Sequence, residues 1–205
     1  QQISQTTDKA AVRGKFGVTN FVLAFSTGDP RENSRCYPAM GARMAALGIN
    51  TCLLVAGLRK SEPYAIGLRT EFIRLGLSEG QHFILEDFLG EDRFRDLAEL
   101  YTAADFYLEL SLHEGFGMQL IEAMACGTTC VSSPRGALAE VGGGHVLLVN
   151  PTNVDEIAVT VKRAYENGLN LRDNREQIRY ANTFSWERVG STVTEILLQV
   201  AANKL

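Results

Sequence analysis

The sequence predicts an α/β protein built on a Rossmann-like, doubly wound parallel sheet. Short apolar runs typical of buried strands alternate along the chain with longer stretches of helical character. Glycines punctuate many of the boundaries, as they do at helix ends. Parallel neighbours in a sheet need crossover connections, which helices supply. The alternation therefore favours a parallel sheet covered by helices.

Each element follows from its local composition. The strands are short and rich in Val, Leu, Ile, Phe and Cys, as strands buried on both faces should be. They are Phe21–Ser26, Thr51–Val55, His82–Leu85, Asp105–Leu110, Thr129–Ser132 and Val146–Val149. The helical stretches are Ser34–Leu47, Pro63–Leu75, Asp92–Ala103, Met118–Ala125, a brief turn near Ala137–Val141, Val154–Glu166, Leu171–Asn182 and Trp186–Ala202. Neither a repeat nor a linker interrupts them, so residues 1–205 are predicted to form one domain.

Composition excludes several classes of function. The 205 residues are 45% hydrophobic and 21% charged, which is ordinary for a globular protein with one core. A net charge of -4 argues against a nucleic-acid partner, which normally requires a basic face. The longest apolar runs are far shorter than the ~20 residues that span a bilayer. The polar first residues contain no signal peptide, so we expect a cytoplasmic protein. The four cysteines show no CxxC pairing and are expected to be reduced thiols, three of them in buried segments.

One segment carries most of the functional information. Glu114 and Glu122 are separated by seven residues and flank a Gly-Phe-Gly turn, between the strand-like run 104–111 and the helix Met118–Ala125. The glycines allow backbone N–H groups to approach a ligand, and the helix start favours an anion through its unpaired N–H groups and its dipole. This arrangement suits a ligand with phosphate at one end and hydroxyls at the other, such as a nucleotide sugar.

Periodicity alone leaves the role of some residues open. Glu122 lies in the second turn of its helix and can lean back towards Glu114, but an exposed helix glutamate would show the same pattern. His113 is either a ligand contact or a solvated loop residue. His82 and His145 are interpreted as structural, and the three histidines are too scattered to indicate a metal site.

The segment SLHEGFGMQLIEAMACG, with the later ALAEVGGGHVLLVNP, resembles the C-terminal, donor-binding domain of retaining GT-B glycosyltransferases of the family four (group 1) type. LAELYTAADFYLELS is similar to the stretch before the first motif glutamate. DKAAVRGKFGV and FSWERVGSTVTEILL are similar to the opening and closing helices of that domain. The resemblance covers nearly the whole chain, with an opening helix in residues 1–20 and closing helices in residues 171–205.

The resemblance implies specific roles. Glu114 matches a catalytic glutamate that contacts the donor sugar near its anomeric centre, and Glu122 matches the glutamate that binds the ribose hydroxyls. The backbone from Gly117 to Gln119 matches the diphosphate site, and the loop Gly90–Leu97 matches the slot for the base. The implied donor-binding residues are Gly90, Leu97, Gly115, Phe116, Gly117, Met118, Gln119 and Glu122.

The resemblance also implies the ligands and partners. The donor is a UDP-, GDP- or ADP-linked sugar, with no metal and no other cofactor. The partner is an N-terminal domain that carries the acceptor site and is absent from this sequence. Membrane association would be possible only for the intact parent protein. Without the N-terminal domain, the chain is expected to bind a donor without turning over an acceptor.

Two departures from the family pattern matter, one at a pair of positions and one at a single position. Ser26 or Thr27 stands where the family has an Arg, and Glu32 where it has a Lys that neutralises the diphosphate. Thr129 stands where the family prefers Pro, which is a mild change. Cations on strand-end loops could substitute or could simply be solvated; they are Arg31, Arg35, Arg59, Lys60 and Arg135.

Glu32 keeps an alternative open: a non-catalytic module for protein assembly or sugar sensing. An oxidoreductase is disfavoured, because no GxGxxG follows the first strand.

Overall fold

The computed structural model describes residues 7–87, 93–168 and 174–202, except for the side chains of residues 93–95. Gly90 of the predicted base slot, Asp92 at the start of a predicted helix and residues 171–173 of another lie outside the described residues.

Six parallel strands form one sheet, with the order β3-β2-β1-β4-β5-β6. Each predicted strand is present, and most ends shift by one residue. The strands are β1 (Phe21–Phe25), β2 (Cys52–Ala56), β3 (Phe83–Glu86), β4 (Phe106–Glu109), β5 (Thr129–Ser132) and β6 (Leu147–Leu148). β6 is the shortest and pairs only with β5, at the edge of the sheet.

The helices connect and follow these strands. They are α1 (Lys9–Lys15), α2 (Tyr37–Ala46), α3 (Pro63–Arg74), α4 (Arg93–Ala103), α5 (Met118–Ala125), α6 (Leu138–Gly142), α7 (Val154–Glu166), α8 (Asn174–Ala181) and α9 (Trp186–Ala202). The bounds of α5, α7 and α9 are those predicted from the sequence.

The start of α2 differs from the prediction. The helix expected from Ser34 begins at Tyr37, after two short 3-10 turns, Pro30–Glu32 and Ser34–Cys36. Asn33 separates these turns with a left-handed backbone (φ 60°), which a helix cannot contain. Its side-chain amide donates to the carbonyls of Leu110 (3.2 Å) and Pro151 (2.8 Å). These bonds tie the loop after β1 to the segments that follow β4 and β6.

Apolar side chains cover both faces of the sheet, because strand side chains alternate between them. One face packs under α2, α3 and α7, with core residues that include Val22, Leu53, Phe72 and Ile157. The other face packs under α1, α4, α5 and α6, with core residues that include Phe21, Tyr101, Leu120 and Val141. The doubly wound arrangement is therefore confirmed.

A buried ion pair fixes the opening helix to the sheet. The Arg13 guanidinium contacts the Asp105 carboxylate at 2.7 Å and also donates to the Ala103 carbonyl at 2.9 Å. The second Asp105 oxygen accepts from the Tyr165 hydroxyl at 2.7 Å. Asp105 therefore joins α1, the start of β4 and α7 at the end of the sheet opposite the strands' carboxyl ends.

The closing helix α9 has no buried residue. Its apolar side chains are exposed, with Trp186 at 75% and Leu198 at 66% of full exposure. Among the described residues, no helix combines the length and the apolar character needed to cross a membrane.

The strand order places a reversal between β1 and β4, which lie side by side although two strands and three helices separate them along the chain. Ligands of open α/β sheets bind beyond the carboxyl ends of the strands at such a switch point. The loop that follows β1 contains Ser26, Thr27 and Glu32, and the loop that follows β4 contains Glu114 and leads into α5, which carries Glu122.

Candidate functional site

A cavity of about 770 Å³ opens at the switch point. Residues that follow β1, β2 and β4 line it, together with the start of α5 and one residue of α4. They are Phe25, Ser26, Thr27, Glu32, Gly57, Leu97, Glu109, Glu114, Gly115, Phe116, Gly117, Met118, Gln119 and Glu122. A smaller hollow of about 270 Å³ lies at the opposite end of the sheet, between β1, α2 and α7.

The start of α5 forms one wall of the cavity. Gly117 caps the helix with a left-handed backbone (φ 92°) and, being glycine, offers no side chain to accept from the first helical N–H groups. Those N–H groups, with the positive end of the helix dipole, can therefore contact an anion. A Cβ on Gly117 would lie 2.6 Å from a Leu138 methyl carbon, so close packing against α6 also requires glycine here.

The loop after β4 holds Glu114 at the cavity wall through backbone contacts on two sides. The Glu114 carbonyl accepts from the Ala137 amide at 3.1 Å, in the loop after β5. Two residues earlier, the Leu112 amide donates to the Arg31 carbonyl at 2.7 Å, in the loop after β1. The two flanking loops of the cavity thus fix the segment that carries Glu114.

Glu122 reaches the cavity from the second turn of α5. Its carboxylate accepts from the Tyr101 hydroxyl at 3.1 Å. Burial raises the pKa of Tyr101 well above its ordinary value, and the Glu122 charge adds to the effect, so this hydroxyl stays a donor. Glu122 is half-buried and lines the cavity, which rules out the solvated-helix interpretation.

Three aromatic rings lie below these carboxylates. Phe25 and Tyr101 meet edge to face with ring centroids 5.7 Å apart, and Tyr101 and Tyr107 do so at 5.4 Å. The two tyrosines direct their hydroxyls to different carboxylates: Tyr101 to Glu122 and Tyr107 to Glu109. A rigid aromatic floor therefore positions two of the acidic side chains of the cavity.

Glu109 is a cavity residue that the sequence reasoning missed. It ends β4, is only 6% exposed, and accepts hydrogen bonds of 2.7 Å from the hydroxyls of Tyr107 and Ser111. Burial raises its pKa above the ordinary value. The signal in the sequence was a glutamate inside the apolar run FYLEL, one residue before the predicted end of a strand expected to be buried on both faces.

Glu32 bonds to the loop that follows β1. Its carboxylate accepts from the Ser26 hydroxyl (2.9 Å), the Thr27 amide (2.7 Å) and the Thr27 hydroxyl (2.8 Å). One of residues 26 and 27 is expected from the resemblance to stand at the family's Arg position, and Glu32 at its Lys position. Glu32 shapes the cavity wall as a hydrogen-bond acceptor.

The five cations considered as phosphate ligands lie outside the cavity lining. Arg31 pairs with Asp29 at 2.7 Å, and this contact holds the pKa of Asp29 at about 2. Lys60 pairs with Glu86 at 3.1 Å and Arg59 with Glu62 at 3.5 Å. Arg35 and Arg135 are exposed. Their phosphate-binding role stays a prediction.

Of the remaining residues considered in the sequence analysis, one lines the cavity and the three histidines do not. Leu97 of the expected base slot lines the cavity, whereas His113 is exposed and outside its lining. His82 accepts from the Ser78 amide at 3.0 Å, and His145 stacks against Tyr180 with ring centroids 4.6 Å apart, so both are structural. In the part of the chain that the structure describes, no three His, Cys, Asp or Glu side chains converge to hold a metal ion.

Comparison with known proteins identifies the family. The family model described as glycosyl transferases group 1 matches residues 41–183, which contain β2–β6 and most of the cavity lining. The chain belongs to the group 1 glycosyltransferase family. The resemblance carried by the EGFG turn and the EAMACG helix is thus confirmed.

Individual relatives are named mannosyltransferases and have longer chains. The O-antigen chain mannosyltransferase B of Escherichia coli is 34% identical over 170 residues, which cover 82% of this chain and 42% of that protein. The serotype-specific mannosyltransferase WbdA of Escherichia coli is 28% identical over 186 residues, which cover 85% of this chain and 21% of that protein.

Solved structures share the fold. Anabaena Alr3699/HepE, determined in complex with UDP-glucose, superposes with a TM-score of 0.76 at 21% identity, over 96% of this chain and 54% of that chain. Sucrose-phosphate synthase from Thermosynechococcus elongatus superposes with a TM-score of 0.75 at 21% identity, over 95% of this chain and 49% of that chain. The chain therefore spans about half the length of these structures and less than half of the curated relatives.

Proposed function

We propose that this chain is the donor-binding part of a retaining glycosyltransferase, which transfers a sugar from a nucleoside diphosphate to an acceptor. The observation that carries the proposal is the convergence of Glu114, the uncapped start of α5 and Glu122 on one cavity at the switch point. The relatives' names support the reaction class, and the UDP-glucose complex of Alr3699/HepE supports the ligand class.

The cavity offers matching groups for each part of a nucleotide sugar. The N–H groups of Gly117, Met118 and Gln119 suit the diphosphate, since they combine free donors with the helix dipole. Glu122, held by Tyr101, suits the two ribose hydroxyls as a carboxylate acceptor. Glu114 suits the hydroxyls of the sugar near its anomeric carbon.

In the proposed reaction, the bond between the anomeric carbon and the diphosphate oxygen breaks as the acceptor hydroxyl attacks from the same face. The hydroxyl proton passes to the leaving diphosphate. Donors fixed at the start of α5 stabilise the charge that grows on the leaving diphosphate, and this is where a preorganised site lowers the barrier most. The Glu114 carboxylate lies near the positive charge that develops on the sugar. We assign no protein nucleophile and no metal.

The acceptor site is proposed to belong to another domain. Because the chain spans about half of its solved relatives, a second half of similar size would face the cavity and supply the acceptor-binding groups. The intact parent could reach a lipid acceptor at a membrane surface through that half.

The direct test is calorimetric titration of the chain with UDP, GDP and ADP and their common sugar conjugates. We expect saturable binding of one nucleotide, weakened at least about tenfold by Glu122→Ala because the ribose acceptor is lost. Glu166→Ala, at the exposed end of α7, is the matched control and should bind like the unchanged chain. Absence of binding at millimolar ligand, both for this chain and for a parent-length protein, would overturn the proposal.

A second candidate function rests on Glu32. A carboxylate in place of a phosphate-neutralising cation fits a non-catalytic module that binds neutral sugars or partner proteins. This candidate predicts that free sugars bind the cavity as well as their nucleotide conjugates do. Equal affinity for glucose or mannose and for the corresponding nucleotide sugar would favour it.

A further inference from the structure

The cavity is unusual in its charge. Four of its lining residues are glutamates: Glu32, Glu109, Glu114 and Glu122. Among the described residues, no lysine, arginine or histidine lines it. A nucleotide sugar brings two negative phosphate charges into this space, so the repulsion must be offset within the site.

Glu109 differs from the other three glutamates in its burial. Its side chain lies under the cavity between two hydroxyl donors, Tyr107 and Ser111, and is only 6% exposed. The Tyr107 hydroxyl also lies 3.4 Å from the side-chain oxygen of Gln119, in the first turn of α5. Glu109 is thus one side chain removed from the helix start proposed to hold the diphosphate.

Among the side chains that the structure describes around Glu109, which exclude those of residues 93–95 at the start of α4, none is a cation. Its neighbours are neutral or acidic: Tyr107 on β4, Ser111 and Glu114 after β4, Cys130 on β5, Tyr37 on α2, Tyr101 on α4, Gln119 and Glu122 on α5, and Glu32 after β1. Burial is the main reason that the pKa of Glu109 is raised, and the charge of Glu114 raises it further. The hydroxyls of Tyr107 and Ser111 act in the opposite direction.

We propose that Glu109 takes up a proton when a nucleotide sugar binds, so that the donor is bound with a neutral carboxyl beneath its diphosphate. This inference rests on the proposed function. The proton comes from solvent, and up to one proton enters for each donor bound. A neutral Glu109 removes one negative charge from the floor of the cavity and supplies an O–H donor to the Tyr107–Ser111 network.

Proton uptake makes donor affinity dependent on pH. By linkage, the affinity falls as pH rises through the range between the pKa values of Glu109 in the free and the bound protein, by at most about tenfold per pH unit. Glu32, Glu114 and Glu122 are more accessible to water, which can screen their charges without a proton.

Calorimetry with a nucleotide sugar measures the proton directly. The chain is titrated with the conjugate that it binds best, at one pH, in buffers of different ionisation enthalpy. The diphosphate of a nucleotide sugar has no titrating proton near neutral pH, so any proton exchanged belongs to the protein. We expect an uptake of up to one proton per donor, and an affinity that falls with rising pH by at most about tenfold per pH unit.

Two variants assign the proton to its residue. Glu109→Gln keeps the shape and a hydrogen-bonding side chain but has no titrating group, so binding should persist without proton uptake. Tyr107→Phe removes a donor to Glu109 and should shift the uptake to higher pH. Glu166→Gln is the control and should keep the uptake of the unchanged chain.

The outcomes separate this inference from the proposed function. Donor binding by the unchanged chain without proton uptake would overturn the role of Glu109 and leave the proposed function intact. Uptake that persists in Glu109→Gln would overturn the assignment to this residue. No binding of any nucleotide sugar would overturn the proposed function, and this inference with it.

Discussion

The backbone of Glu114 lies directly against Gly136. A Cβ atom on Gly136 would be 2.5 Å from the Glu114 carbonyl oxygen and 2.9 Å from its amide nitrogen. Gly136 also has a left-handed backbone (φ 60°), and its neighbour Ala137 donates to the same carbonyl. The loop after β5 therefore fixes the position of Glu114 through contacts that only glycine permits.

Gly136→Ala is expected to displace Glu114 and weaken donor binding. The left-handed backbone costs about 1–2 kcal/mol for a non-glycine residue, and the contact with Glu114 should add about 1–3 kcal/mol through forced backbone shifts. Gly17→Ala is the matched control, since Gly17 has φ 67° and no atom within 4 Å of an added Cβ. Chemical denaturation and donor titration of both variants provide the test. Equal loss of stability and unchanged donor affinity would show that Gly136 does not position Glu114.

Tyr101→Phe tests whether Tyr101 orients Glu122. Loss of the hydroxyl that donates to Glu122 should lower the free energy of unfolding by about 1 kcal/mol and weaken nucleotide binding about three- to tenfold. Tyr165→Phe is the control, because its hydroxyl bonds to Thr51 and Asp105 at the other end of the sheet. We expect Tyr165→Phe to lower stability without any change in nucleotide affinity. If both variants lost stability and nucleotide affinity to the same extent, Tyr101 would act on binding only through stability.

Glu32→Lys reintroduces the cation of the family pattern. The variant loses the hydrogen bonds to Ser26 and Thr27 and should be less stable by about 1–3 kcal/mol. If the loop after β1 contacts the diphosphate, UDP or GDP should bind about fivefold more tightly than to the unchanged chain, at low salt. Glu32→Gln removes only the charge, so its affinity for UDP or GDP should lie between those of the unchanged chain and Glu32→Lys. Nucleotide affinity that is the same in all three proteins would remove this loop from the diphosphate site.

Local sequence patterns were sufficient to predict most of the fold. The apolar strands and the helices α5, α7 and α9 follow from residue type and period, and their positions were predicted to within one residue. The 3-10 turns before α2 could not be predicted, because they depend on the left-handed Asn33 and its bonds to Leu110 and Pro151, which are distant in sequence. Local secondary-structure propensity carries no information on contacts between residues that are distant in sequence.

The candidate site was predictable where its residues share one segment. Glu114, Gly117 and Glu122 lie within nine residues, and their convergence follows from a strand, a turn and a helix in succession. Glu109 and Tyr101 were missed, because their role depends on which side chains meet below the cavity. That meeting is set by the pairing of β4 beside β1 and by the packing of α4, neither of which a local pattern specifies.

The cysteines should be unreactive in the folded chain. All four are free, and burial raises the pKa of both Cys36 and Cys52 to about 12. A thiol with this pKa has about a thousandfold less thiolate at pH 8 than one at its ordinary value, and thiolate is the reactive form. Alkylation by iodoacetamide, followed by peptide mass spectrometry, should therefore be slow at both residues until guanidinium unfolds the chain. Rapid labelling of the native protein at Cys52 would contradict the burial of β2.

Glu109 should also make folding stability depend on pH, in the absence of any ligand. Its pKa is raised in the folded chain, so the folded state binds its proton more tightly than the unfolded state does. The stability that this proton provides is present in full below the unfolded pKa, near 4.3 for glutamate, and is lost as pH rises through the folded value. Glu109→Gln has no titrating group at this position, so its stability does not fall in this way as pH rises. Denaturation of both proteins at several values between pH 4 and pH 8 should therefore show the variant gaining relative to the unchanged chain as pH rises. A stability difference that is constant over this range would mean that Glu109 titrates alike in the folded and unfolded states, and that its burial between Tyr107 and Ser111 has no electrostatic consequence.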